Sequence, residues 1–381
     1  MFGAGVALGP GVQVLGPPPF YLWAWGSNSV GQLGLGDTVN RSSPVQVGAL
    51  GTWSEISKTN QSYSTFTVKT DGTLWVWGRG GEGQLGTGDA IPRSSPVQVG
   101  ALTTWAGTTT SAFSYSVSTN LLRSDGTAWI CGTVSYRFNY GAVTNRSSPV
   151  QVGADKNWSM IGSGGQGSWF GITTAGALWS SCAFNTGGMG GRNNTAGTSS
   201  PAQVGALTNW AGVYPGDSGV IARKTDGTLW SWGKAYPANP TAFMGQNDAV
   251  YRSSPVQIGA LTNWAKVTTF KYGVQAIKTD GTMWAWGINT GGESGLGDAV
   301  NRSSPVQVGA LTTWTTTGKN FMPGGAIRDD GTLWSWNGGQ GSLGNNTNGF
   351  NSSPIQIGTL TTWTVMGAAR QAKLAIASHA T

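Results

Sequence analysis

The sequence predicts an all-β fold of seven similar units that close on themselves. Three observations predict it. A Ser-Ser-Pro phrase recurs seven times, a tryptophan stands nine residues after each of its prolines, and the strand missing from the C-terminal unit is found at the N-terminus. Composition points the same way. With 62 Gly and 20 Trp but only 10% charged residues, the chain lacks the Ala, Leu, Glu and Lys that helices need, and suits strands joined by many tight turns.

The prolines of the phrase are Pro44, Pro96, Pro149, Pro201, Pro255, Pro305 and Pro354, spaced by 49 to 54 residues. The tryptophans that follow are Trp53, Trp105, Trp158, Trp210, Trp264, Trp314 and Trp363. A fixed period of this length is the signature of a repeat architecture. Between these landmarks runs a second phrase, Asp-Gly-Thr-Leu-Trp-x-Trp-Gly, as at Asp71–Gly78 and, with Met for Leu, Asp280–Gly287, with further copies, some modified, from Asp125, Ala175, Asp226 and Asp330. Asp-Gly is a turn and the segment after it a strand. In that strand Trp75 and Trp77 share one face while Leu74 and Val76 share the other, because side chains alternate. A large face therefore meets a small one when such sheets stack. Nineteen of the twenty tryptophans occupy these repeat positions, and Trp169 does not.

The ends explain the closure. Aligned on Trp363, the segment Ile376–Thr381 corresponds to Ile277–Thr282, so the chain stops where Leu-Trp-x-Trp-Gly is due, and Leu22–Gly26 supplies that strand. The first strand is expected to complete the last unit and so remove exposed sheet edges.

From residue 22 to 381 these phrases, together with Gln-Leu-Gly-x-Gly-Asp, resemble the regulator-of-chromosome-condensation (RCC1-like) repeat family, especially its bacterial and phage-type members. The resemblance implies a seven-bladed β-propeller with four-stranded blades. Two family features are missing. The histidine often found seven residues before the Asp-Gly aspartate is replaced by Ser64, Ser118, Ser168, Gly219, Gly273 and Gly324, and the Gly-Trp-Arg-His-Thr phrase of the family's plant ultraviolet photoreceptors does not occur.

Little in the sequence suits catalysis. The one histidine, His379, stands at a turn position near the closure, with no nucleophile to serve. Of fifteen carboxylates, Asp71, Asp125, Asp226, Asp280 and Asp330 belong to the turns. Asp37, Asp89, Asp248 and Asp298 each precede by four residues an arginine, namely Arg41, Arg93, Arg252 and Arg302, and are expected to form loop-fixing ion pairs. The remainder are scattered without metal-ligand spacing. No enzyme activity, cofactor or metal is expected. A formal charge of +7 is spread one or two basic residues per repeat, with no Lys/Arg run, which argues against specific nucleic-acid binding. No apolar stretch is long enough to span a bilayer, so no membrane insertion is expected. Cys131 and Cys182 fall at the same blade edge in neighbouring repeats, too far apart to bridge in the family's geometry, and leave the redox compartment open.

Recognition is therefore expected at departures from the repeat. These are Tyr136, Arg137, Phe138 and Tyr140 with Arg146 in the third repeat, Tyr236, Phe243 and Tyr251 in the extended fifth, and Trp169. The Gly- and Pro-rich arm of residues 1–20, with Phe2, Val6, Leu8, Val12 and Leu15, precedes the repeats of residues 21–381 and resembles no secretory signal. The arm and the near-identical repeats lead to the expectation of a virion protein, a phage tail, fibre or decoration component. Its partners would be other particle subunits and a host-surface ligand, with the arm as assembly anchor. The alternative is a soluble, cytoplasmic RCC1-like regulatory module, because the family includes a small-GTPase exchange factor and a β-lactamase inhibitor.

Overall fold

The computed structural model describes residues 19–49, 51–56, 58–60, 63–113, 116–133, 145–153, 157–165, 167–234, 243–248, 250–270, 272–317, 324–369 and 371–378. The described secondary structure is all strand, in seven sheets.

Each blade starts at the tryptophan that follows Ser-Ser-Pro. Blade 1 comprises Trp53–Ile56, Ser64–Lys69, Leu74–Gly78 and Arg93–Gln98, paired antiparallel in that order. Blades 2 to 6 repeat it from Trp105, Trp158, Trp210, Trp264 and Trp314. The Ser-Ser-Pro segment is thus the outer strand. Pro96 sits where the register slips between Val76↔Val97 and Gly78↔Arg93, at an edge where a residue without an N–H breaks no ladder. Blade 2 gains a fifth strand, Lys58–Asn60, which pairs parallel with Trp105–Phe113.

The Asp-Gly-Thr-Leu-Trp phrase is one hydrogen-bonded unit. Asp71 Oδ1 accepts from the Thr73 N–H at 2.9 Å and its hydroxyl at 2.7 Å, and Trp75 Nε1 donates to that hydroxyl oxygen at 2.9 Å. The same relay recurs from Asp125, Asp226, Asp280 and Asp330. Gly72 has φ +78°, and a Cβ there would lie 2.1 Å from the Thr103 carbonyl oxygen. Both facts demand glycine. Its own carbonyl accepts from the Trp105 N–H, so each turn docks onto the next blade.

Blade 7 joins the two ends of the chain. Its order is Trp363–Ala369, Ala372–Ala377, Tyr21–Gly26, Arg41–Gln46. Tyr21–Gly26 pairs with Ala372–Ala377 over its full length, from Tyr21↔Ala377 to Gly26↔Ala372. Two N-terminal strands, not one, complete the last blade, because the first Ser-Ser-Pro segment is itself a strand.

Between blades, large faces small throughout. Trp53 and Trp77 of blade 1 pack on Leu22 and Ala24 of blade 7, Trp264 and Trp286 on Ile221 and Leu229, and Trp314 and Trp336 on Ile277 and Met283. The inner tryptophan of each pair reaches back to the preceding blade. Trp77 Nε1 donates to the Gln32 carbonyl, Trp232 to Met189 and Trp286 to Phe243, each at 2.9–3.0 Å. First strands of neighbouring blades touch one another and line the axis. Three of the basic residues are absorbed here. Lys69, Lys224 and Lys278 lie buried, with Nζ 3.6–3.7 Å from the ring centroids of Trp75, Trp230 and Trp284.

Candidate protein-binding face

The antiparallel order of every blade sorts the connections onto two faces. Turns between first and second strands and loops between third and fourth strands emerge on one face. Asp-Gly turns and the links between blades emerge on the other.

The third-to-fourth-strand loops are held by the recurrent ion pairs. Arg41 Nη2 lies 2.6 Å from Asp37 Oδ2 while its Nη1 donates to the Val39 carbonyl, and Asn28 Nδ2 ties the aspartate to the blade. The Val39 N–H, then Arg41, hold the Asp37 carboxyl below its usual pKa. Asp248 and Arg252 meet through two parallel bonds of 2.8 and 2.6 Å, and Asp89–Arg93 and Asp298–Arg302 repeat the link. In blade 3, where Asn194 and Thr198 replace the pair, Arg192 donates instead to Thr198.

This bracing presents apolar tips. Val39, Ile91, Val250 and Val300 are 59, 54, 56 and 57% exposed, and Phe350 on the blade 6 loop is 72% exposed. A side chain held outward by a fixed loop loses little conformational entropy on binding, which favours its use as an anchor. These tips were hidden in the sequence by their regularity, since only breaks in the repeat attract notice. The signal available was an apolar residue two positions before each loop arginine.

Two of the residues singled out by sequence are described at the surface. Tyr251 is 49% exposed on the blade 4 loop, near Lys234, and Arg146 is exposed at the start of the outer strand of blade 2. Tyr136, Arg137, Phe138, Tyr140 and Tyr236 lie outside the described residues, as do Phe2, Val6, Leu8, Val12, Leu15 and His379. Of the two that are described at the surface, Arg146 belongs to blade 2 and Tyr251 to blade 4, with blade 3 between them.

Two of the proposed contacts are core residues. Phe243 is 5% exposed, lies against Gly216 and Gly219, and receives Trp286 Nε1 on its carbonyl. Trp169 is 1% exposed. It stands opposite Ser181, the position where blades 1, 4, 5, 6 and 7 carry the inner tryptophan and blade 2 carries Cys131, and fills that space from the neighbouring strand. Its ring meets Trp158 edge-on at 4.9 Å, the role Trp77 plays against Trp53 at 6.1 Å. Gly171 makes the room, since a Cβ there would come within 2.5 Å of the Trp169 ring. Trp169→Ala is expected to cost about 3–5 kcal/mol in denaturant unfolding, and Tyr251→Ala within about 0.5 kcal/mol. Equal costs would return Trp169 to the surface.

Cys131 and Cys182 are buried thiols that form no disulfide, and burial pushes the Cys131 pKa up to about 12. Its Sγ–H donates to the Gln84 carbonyl, as the tryptophan indole does in other blades. Among the described residues no group of three His, Cys, Asp or Glu could hold a metal ion. No helix of the described residues is long and apolar enough to cross a membrane.

Residues 21–58 and 71–108 match the family described as the Regulator of chromosome condensation (RCC1) repeat. The ultraviolet-B receptor UVR8 of Arabidopsis thaliana is 30% identical over 115 residues, 30% of this chain and 25% of the receptor. Protein RCC2 of Mus musculus is 36% identical over 81 residues, 20% of this chain and 15% of that protein. The alignments thus span a quarter or less of these relatives' lengths. Among solved structures, human WBSCR16 superposes with a TM-score of 0.77 at 16% identity, covering 94% of this chain and 98% of that one. Prp20p of Saccharomyces cerevisiae, described with its binding to Gsp1p and histones, gives 0.75 at 16% identity over 96% and 92%. Yeast RCC1 bound to Kap60 gives 0.76 at 16% identity over 96% and 90%. At such identity the structural likeness speaks for the fold alone.

Proposed function

We propose that this propeller of RCC1-type repeats is a non-enzymatic regulatory module that binds another protein through the face carrying the third-to-fourth-strand loops. The observation that carries the reading is the set of apolar tips on one face, Val39, Ile91, Val250 and Val300 braced outward by loop ion pairs, with Phe350 exposed beside them on the blade 6 loop. Two features support it. Propellers of the same shape are described with protein partners, and the recurrent carboxylates are engaged in turns and loops, which removes the repeated acids from catalytic duty. The relatives favour this regulatory reading over the particle subunit expected from the arm, most of which lies outside the described residues.

The test is affinity capture from the native source with the full chain as bait, followed by cross-linking. Val300→Glu with Phe350→Glu, on adjacent blades, is expected to weaken capture of the bound protein at least tenfold. Leu261→Glu, exposed on the opposite face, is expected to leave it unchanged. Capture lost equally in both variants, or in neither, would contradict the assignment of the face.

A further inference from the structure

We propose that the outer cleft between blades 3 and 4 is a binding site for a small aromatic carboxylate. The cleft has a volume of about 310 Å³ and is walled by Val204, Trp210, Trp230 and Pro255, with Arg192 and Gln203 among its polar groups beside Asn193 and Ser254. That volume lies at the lower end of the roughly 300–1,000 Å³ typical of small-molecule sites, which pair apolar walls with a few placed polar groups.

The repeat position that borders the cleft varies between blades, and here it carries an arginine. At the matching place between blades 7 and 1, Leu35 packs beside Trp75 against the core, and between blades 5 and 6 Leu296 packs beside Trp334. Between blades 3 and 4 the residue is Arg192, whose guanidinium turns to the Thr198 hydroxyl at 2.7 Å. No side chain from this position joins Trp230 in the core cluster there. A leucine-sized space beside an indole is left open.

The polar groups are uncommitted in a way their counterparts are not. Guanidinium carries five N–H donors. Arg192 spends one on Thr198, its Nε is buried without an acceptor, and it forms no ion pair among the described residues. The glutamine of the outer strand donates its amide to a glycine carbonyl two residues on in six repeats, from Gln46, Gln98, Gln151, Gln257, Gln307 and Gln356. Gln203 makes no such bond among the described residues. An unpaired cation and a free amide thus border an indole-walled cleft. An aromatic ring fits the wall by edge or offset stacking, and a carboxylate fits the guanidinium by charge-assisted hydrogen bonds.

The experiment uses the full chain with 2-naphthoate and its neutral analogue 2-naphthalenemethanol, followed by calorimetry and tryptophan fluorescence. Naphthoate is expected to bind at least tenfold more tightly than the alcohol. Arg192→Leu, which installs the residue found at 35 and 296, is expected to fold and to weaken naphthoate at least tenfold. Gln203→Glu is the second variant, expected to repel the carboxylate while leaving the apolar walls intact. No binding of naphthoate at millimolar concentration, equal affinity for the alcohol, or unchanged binding in both variants would overturn the proposal.

Discussion

Deleting residues 1–26 is expected to destroy cooperative folding of the whole chain, whereas deleting residues 1–18 leaves the melting midpoint unchanged. The longer deletion removes the third strand of blade 7 and, with it, Leu22, Trp23, Ala24 and Trp25, each 8% exposed or less. It also separates Arg41–Gln46 from the C-terminal strands and bares the edge of Ala372–Ala377 along its full length. An unpaired apolar edge invites aggregation. The single substitution Trp25→Ala isolates part of this effect. It empties a fully buried site in the blade 6–7 interface and removes the indole bond to the Ser342 carbonyl. A loss of about 3–5 kcal/mol is expected in urea unfolding. A soluble, cooperatively unfolding 27–381 chain would refute the role given to the seam.

Lys373 is expected to give the second large effect. It is 1% exposed, and its Nζ donates to the Gly324 carbonyl at 2.6 Å, the Ser335 hydroxyl at 2.6 Å and the Trp336 carbonyl at 3.0 Å. All three acceptors belong to blade 6, so this side chain rivets the closing blade to its neighbour. Lys373→Ala leaves three acceptors and a cavity behind, at an expected cost of about 3–5 kcal/mol. Burial lowers its pKa from 10.5 to about 7. Between those two values the unfolded chain binds more protons than the folded one, so stability rises as pH increases through that window. Below about pH 7 the cost of burying the ammonium is fully present. The pH slope of unfolding free energy between 7 and 10 is expected to be steeper in the native chain than in Lys373→Met, which keeps the volume and removes the titration. Equal slopes would mean that Lys373 titrates as it does in water.

How far the sequence discloses the molecule depends on whether a residue follows the repeat. The blade count, the facing of tryptophan against small residues, and the pairing of Leu22–Gly26 with the C-terminus are periodic properties and are legible. The second closing strand is not, because Ser-Ser-Pro reads as a loop until Pro44 is seen on an outer edge where its missing N–H breaks no ladder. Trp169 misleads for the opposite reason. It departs from the repeat and so resembles a contact residue, yet the same repeat has Ser181 where a tryptophan is due, and the two departures cancel in space. Tyr251 and Arg146 are surface departures and stay at the surface. Lys373 and Arg192 needed the third dimension. A lysine within Ala-Lys-Leu-Ala-Ile-Ala is an anomaly in sequence, but its acceptors lie in the preceding blade. Arg192 stands out only when its place is compared with Leu35 and Leu296, which pack against the core at the same position of two other interfaces.

Amide hydrogen exchange on the unmodified chain tests the ring most directly, because it needs no substitution and reads the seam strand itself. In the closed ring, Tyr21–Gly26 lies between two partner strands, as Leu229–Gly233 does within blade 4. Its amides are expected to exchange as slowly as those of Leu229–Gly233, through the same global opening. Exchange of Leu22–Trp25 at the rate of an unstructured terminus, with Leu229–Trp232 still protected, would contradict the closure.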